Sequence, residues 1–258
     1  MARKKPRAPK LRIAGTYPID SGTAVITADP ERDGAFTLEV NRVPSSYMVL
    51  GAPRVLGFDY MEWIATASRA HFSLIDDTPT TLTHLGGAGC SLARYCADVW
   101  PESTNVVVEI DRTLCDVAAA KFDLPPAPHV VFSIGDARAA VEDLPDSSTD
   151  VIIRDVFAGA TTPQHVKTVE FFRAAARALT PHGIYLANIG DRAGLHETSA
   201  ELAGMAEVFD NTGVISSPEM LSGREYGNVV AFGTFGDRAT AAALTETLSR
   251  EKNLAVRT

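Results

Sequence analysis

Three acidic residues stand where three apolar runs end, and that placement is the first clue to chemistry. "VVVEID" carries Glu109 before its closing Asp111, "SIGDA" carries Asp136 before Ala137, and "DVIIRD" closes on Asp155. Upstream, "LGGAGCS" sets Gly86, Gly87 and Gly89 at the end of a fourth run. Glycines there let main chain approach a ligand, and a helix that starts just after them offers unpaired N–H groups. Glu109 follows Gly86 by 23 residues, near the offset of about 20 at which an acid reaches ribose hydroxyls in nucleotide-binding folds. Asp136 is placed either to cap the next helix or to accept a hydrogen bond from an exocyclic amine. Three acids at three successive run ends exceed what capping alone requires. A ligand with a ribose and an amine-bearing base uses two of them and leaves Asp155 facing a reacting partner.

Elements of alternating type must hold these groups. "TTLTHLGG", "NVVVEID", "HVVFSIGDA", "TDVIIRD" and "IYLANIGD" read as strands, each followed by a helical segment such as "CSLARYCADVW", "RTLCDVAAAKF" or "PQHVKTVEFFRAAARAL". Near-continuous apolar strands alternating with helices predict an α/β fold, doubly wound around a mostly parallel sheet. "GVISSPE" and "GNVVAFGTF" add a closing antiparallel pair, for seven strands in all, before a terminal helix. Ahead of this unit, "GTAVITADP", "AFTLEVN" and "SSYMVLG" predict a small antiparallel β region, and residues 59–75 predict a helix. The expected division is a basic tail over 1–12, the β region over 13–57 and the α/β domain over 58–258.

Composition narrows the function classes. At 45% hydrophobic and 22% charged residues the chain is ordinary for a globular protein. No apolar run approaches the ~18–20 residues of a membrane-crossing helix, and the N-terminus lacks the apolar stretch of a secretory leader. The first twelve residues hold six Lys and Arg and no acid; the other 18 bases face all 32 acids. So acidic a body is a poor surface for nucleic acid, and only the tail, read as a solvated arm, carries the opposite charge. Three cysteines without a close pair, and six histidines without an HxH or HxxxH pair, give no metal site. Unpaired thiols are expected of the cytoplasm.

With these residues in view, the chain resembles the spermidine synthase family of polyamine aminopropyltransferases, on the class I S-adenosylmethionine-dependent methyltransferase fold. "LGGAGCSLARY", "VVVEID", "IGDARAAV" and "DVIIRD" carry the resemblance in that order, with "SSYMVLG", "DYMEWIA" and "GREYGNVVAF" around them, over roughly residues 45–235. It implies that Gly86, Gly87 and Gly89 line the nucleoside donor, that Glu109 binds its ribose, and that Asp136 with Ala137 meets its adenine. Asp155 matches the acid that orients and deprotonates the attacking amine, and Tyr60 a tyrosine near the substrate. The implied co-substrate is decarboxylated S-adenosylmethionine or S-adenosylmethionine itself, with no metal, a small amine or other small acceptor, and a homodimer formed through the N-terminal strands.

Two family acids are replaced, one by Gly89 in the glycine loop and one by Ala158 after Asp155. Loss of one charged hydrogen bond to a diamine weakens its recognition by about 1–3 kcal/mol. Glu62 or Glu225 is the expected substitute, and Arg224 the expected neighbour that opposes a cationic acceptor. Three readings therefore stay open: an aminopropyltransferase, a methyltransferase on a non-polyamine acceptor, and a non-catalytic nucleoside-binding homologue.

Overall fold

The computed structural model describes residues 13–159, 161–251 and 254–258; the basic tail of residues 1–12 lies outside them. Four antiparallel strands come first: β1 (Gly15–Ile19), β2 (Gly22–Ala28), β3 (Ala35–Val40) and β4 (Val43–Val49), paired in chain order. Sequence patterning anticipates three of them. It misses β1, whose Pro18 argues against a strand, yet β1 is an edge strand, where a residue without an N–H is tolerated.

Helix α1 (Asp59–Leu74) leads into the main sheet. The elements then alternate: β5 (Thr81–Leu85), α2 (Ser91–Val99), β6 (Thr104–Glu109), α3 (Arg112–Lys121), β7 (Val130–Ile134), α4 (Ala137–Asp143) and β8 (Thr149–Arg154). A 3₁₀ turn (Gln164–Val166) precedes α5 (Val169–Ala178), β9 (Leu179–Asp191), α6 (His196–Met205), β10 (Asn211–Ser216), α7 (Pro218–Leu221), β11 (Gly227–Thr234), α8 (Arg238–Ser249) and β12 (Ala255–Arg257). The segment "TPHG" (180–183), whose composition suggests a turn after α5, is extended. Helix α5 stops at Ala178, Leu179 is already extended, and all four residues belong to β9.

The strands lie in the order β12-β10-β11-β9-β8-β5-β6-β7. Strands β5 to β9 are parallel where they pair, and β10, β11 and β12 form an antiparallel edge. The expected seven strands are present, and short β12 makes an eighth. Chain order reverses between β5 and β8, so the crevice for a ligand opens at their carboxyl ends, where Gly86 and Asp155 stand.

Both sheet faces are covered. Leu85, Ile152, Phe171, Phe172 and Tyr185 fill the core on the α4, α5 and α6 side. Leu82, Ile153, Ile64, Phe72 and Leu92 fill the opposite side beneath α1 and α2. The small sheet packs Ile26, Leu38 and Met48 against Leu114, Ala118 and Phe122 of α3. Asp111 fastens the two units together. Its carboxylate caps α3 through the Leu114 N–H and also accepts from the Ser21 N–H, the Ser21 hydroxyl and the Asp20 N–H. Among the described residues no helix is long and apolar enough to cross a membrane.

Candidate active site

A cavity of about 1020 Å³ opens over the switch point. Its floor is main chain. Gly86 has φ +84°, and a β-carbon there would lie 2.2 Å from the Asp155 carbonyl oxygen. One on Gly87 would lie 2.4 Å from Val107 Cγ1. Only glycines let the β5–α2 turn pass this close to β8 and β6. Gly89 is different. A β-carbon there would come within 2.8 Å of Ser46 Cβ in β4, and Gly89 N–H donates to Ser46 Oγ at 2.9 Å. It faces the small sheet and is not among the lining residues, whereas Gly86, Gly87, Ala88 and Cys90 of the same loop are. Substituting Asp for Gly89 is expected to destabilise the fold by about 1–3 kcal/mol through overpacking. A thermal melt of G89D and of G89D paired with Ser46→Gly checks this, since the second change removes the obstruction and restores most of the loss.

Glu109 lines the cavity, with its carboxylate folded onto the turn. Oε2 accepts from Gly87 N–H at 3.0 Å and Ala88 N–H at 3.3 Å, and Oε1 from Ile110 N–H at 2.9 Å and Asp111 N–H at 3.2 Å. Four donors fill its acceptor capacity. Asp136 caps the next helix, the first of the two tasks that its position suggests. Oδ1 caps α4 through the Arg138 and Ala139 N–H groups, while Oδ2 accepts from His165 Nε2 at 2.8 Å and keeps a lone pair. Gly135, Asp136, Ala137 and His165 line one stretch of wall.

Asp155 lines the same cavity, on the α1 face of the sheet. Tyr60 Oη donates to its Oδ2 at 2.9 Å and Asn188 Nδ2 to its Oδ1 at 2.8 Å. Asn228 Nδ2 in turn donates to Asn188 Oδ1 at 2.9 Å, which fixes the direction of the Asn188 amide. Burial raises the Asp155 carboxyl above the ordinary carboxylate range, and the two hydrogen bonds and Arg154 offset only part of that. Burial, and then Asp155 itself, hold the Tyr60 phenol well above its usual value, so it stays a donor. The Asp155 carboxylate is thus held in one orientation and takes up a proton more readily than an exposed carboxylate.

Several residues close to these in sequence are placed elsewhere. Arg154 points to the opposite face, fully buried, where it pairs with Glu201 Oε2 at 2.6 Å and donates from Nε to Tyr185 Oη at 3.2 Å. Glu62 is exposed and off the cavity wall, since two residues beyond Tyr60 is the far side of a helix. Arg224 is also exposed and off the wall, with its Nε on Ser222 Oγ at 2.6 Å. Glu225 and Tyr226 do line the mouth, as do Ala158 and Asp59. The described lining residues thus include six carboxylates, Asp59, Glu109, Asp111, Asp136, Asp155 and Glu225, and neither Lys nor Arg. No group of three or more His, Cys, Asp or Glu among the described residues is arranged to hold a metal. Asn188, Asn228 and His84 escape the sequence reading. Their only signal is a polar residue inside an apolar strand.

Strand order, glycine turn and acid-tipped strands define a methyltransferase-like α/β fold. The human methyltransferase-like protein 13, solved in complex with SAH, shares it at TM-score 0.58 and 22% identity, over 76% of this chain and 95% of that one. Within that class the chain belongs to the spermidine synthase family. A probable spermidine synthase of Corynebacterium glutamicum ATCC 13032 is 44% identical in sequence, with TM-score 0.87, over 95% of this chain and 90% of that one. The polyamine aminopropyltransferase of Vibrio vulnificus is 29% identical over 141 residues, which are 53% of this chain and 47% of the relative. The chain thus matches about half the length of that curated relative. No protein-family model matches the chain.

Proposed function

We propose that the protein is a transferase that moves an aminopropyl group from decarboxylated S-adenosylmethionine to a small amine, with Asp155 as the base. The observation that carries this is the cavity wall: among the described lining residues, six carboxylates and neither Lys nor Arg, with one desolvated acid held by Tyr60 and Asn188. A sulfonium and an amine are both cationic and suit that wall. The carboxylate of undecarboxylated S-adenosylmethionine finds no Lys or Arg on it, which favours the decarboxylated donor. Gly86 and Gly87 would pass beneath the nucleoside, Glu109 would take the ribose, and Asp136 the adenine amine. The names of the Vibrio and Corynebacterium relatives support the same activity.

The acceptor nitrogen attacks the carbon beside the sulfonium. A C–N bond forms, the C–S bond breaks, its electron pair stays on sulfur as a neutral thioether, and the nitrogen's proton passes to Asp155. The leaving group needs no help, so the protein supplies alignment and a base. Holding an amine of pKa about 10.4 neutral at pH 7 costs about 4–5 kcal/mol. A carboxylate of raised pKa within reach of the nitrogen offsets part of that. With Glu62 off the wall, Glu225 and Asp59 at the mouth are the acids that would face the far end of the acceptor. Three thiols free of disulfides support placement in the cytoplasm, and the outer face of the small sheet is the surface for a homodimer.

Calorimetry with decarboxylated S-adenosylmethionine, S-adenosylmethionine and methylthioadenosine tests the reading. The decarboxylated donor is expected to bind tightest. Tighter binding of the full donor would turn the assignment to methyl transfer, and silence from all three would leave a protein without a nucleoside site.

A further inference from the structure

His84 is a buried titratable group that the mechanism above does not use. It sits on β5 two residues before Gly86, is 3% exposed, and lines the cavity. In the β5–β8 ladder it is level with Ile153, two residues before Asp155 and on the same sheet face. It therefore lies beneath the reacting centre, about 7 Å down the strands.

Its tautomer is fixed by its neighbours. Asn105 Nδ2 donates to Ser103 Oγ and to the His129 carbonyl, both at 3.1 Å. A carbonyl can only accept, so the Asn105 amide can present only Oδ1 to His84, whose Nε2 lies 2.9 Å away. Nε2 must carry the hydrogen, and Nδ1 is left with a lone pair. Nδ1 has no hydrogen-bond partner among the described residues, nor is it one of the buried polar atoms sealed in protein. Because the ring lines the cavity and Nδ1 is not sealed in protein, Nδ1 is the ring nitrogen left to meet a ligand there. Burial lowers the imidazole pKa to about 4, so the ring is neutral at neutral pH.

The glycine turn that follows His84 places Gly86, Gly87, Ala88 and Cys90, and no acid, among the lining residues. We infer that His84 Nδ1 is the acceptor for the terminal amine of the transferred three-carbon arm, a role for which the glycine turn supplies no side chain. Asn105 is then a positioning residue that holds the ring in the accepting tautomer. This rests on the transferase reading and adds a residue that selects a donor with an amine-ended arm. The acceptor's far end meets Asp59 and Glu225 at the mouth instead.

Calorimetry on the full chain with decarboxylated S-adenosylmethionine and with methylthioadenosine, which lacks the amine, tests it. His84→Phe is expected to weaken the amine-bearing donor by about 10- to 100-fold, the range of a hydrogen bond to a charged group, and to leave methylthioadenosine unchanged. His84→Gln, which keeps an acceptor and can still donate to Asn105, is expected to retain most of the affinity. Should His84→Phe fail to fold, the double change H84L/N105L removes the amide together with its partner and is read the same way. A His84 variant that binds methylthioadenosine normally and the amine-bearing donor as tightly as the unaltered protein overturns the inference while the transferase reading stands. An unaltered protein that fails to prefer the amine-bearing donor overturns both.

Discussion

Replacing Asp155 by Asn is expected to lower turnover by about 10²- to 10⁴-fold while the protein stays folded and still binds the donor nucleoside. That range is the contribution of a positioned base. Asn keeps the size and the contact with Tyr60, so a fall confined to turnover separates proton transfer from shape. The raised pKa of Asp155 adds two expectations of definite sign. The base is active when ionised, so the rate of the unaltered enzyme falls as pH drops through that raised value. Stability runs the other way. A carboxyl whose folded pKa exceeds its unfolded one favours the native state when protonated, and that contribution is lost as pH rises through the folded value. At neutral pH the ionised Asp155 therefore costs stability, and D155N is expected to melt above the unaltered protein. Each kcal/mol is worth about 2–4 °C in a chain of this size. A rate within a fewfold of the unaltered enzyme would remove Asp155 from the mechanism, and a lower melting temperature would show that its hydrogen bonds outweigh its desolvation.

Truncating Glu201 to Ala is expected to destabilise the protein by about 3–5 kcal/mol, because it strands a buried guanidinium. Arg154 is wholly enclosed, with Tyr185 and Glu201 as its side-chain partners, and Glu201 is 2% exposed. Burial pushes the Glu201 carboxyl up, and Arg154 opposes that push. One atom on each side, Arg154 Nη1 and Glu201 Oε1, already lacks a protein partner. Replacing both residues together, Arg154→Met with Glu201→Leu, is expected to cost far less, as apolar pairs of similar volume often substitute for buried ion pairs. Urea unfolding of the single and double variants measures the difference. If E201A unfolds with the unaltered midpoint, the pair does not anchor β8 to α6.

The sequence marks the acids better than it marks their surroundings. Glu109, Asp136 and Asp155 are legible because each follows an apolar run, and a polar residue at the end of a buried strand needs a reason. The helices and the five parallel strands follow from alternation of period, whereas the reversal at β5 is a property of the assembled sheet. Partners across the site are not legible, because they depend on register. Nothing local says that Asn188 of β9 lies beside Asp155, or that Asn228 of antiparallel β11 stands behind it. Face parity explains where Arg154 and Glu62 lie. Arg154 and Asp155 are adjacent in a strand and so point oppositely, and Tyr60 and Glu62 are two apart on a helix and diverge. A glycine run does not say which of its members faces a ligand, and only the approach of Ser46 from another sheet shows that Gly89 faces away. Pro18 concealed β1 because edge position is a property of the assembled sheet.

A wall of carboxylates unrelieved by Lys or Arg also acts at a distance. Its field extends past the mouth, where Asp59 and Glu225 stand, and draws cationic solutes from bulk before any contact forms. Mobile ions shorten that reach to about 8 Å at physiological ionic strength and about 3 Å at 1 M. Raising salt should therefore slow capture of a doubly charged amine more than of a singly charged one, and leave the turnover of saturated enzyme nearly unchanged.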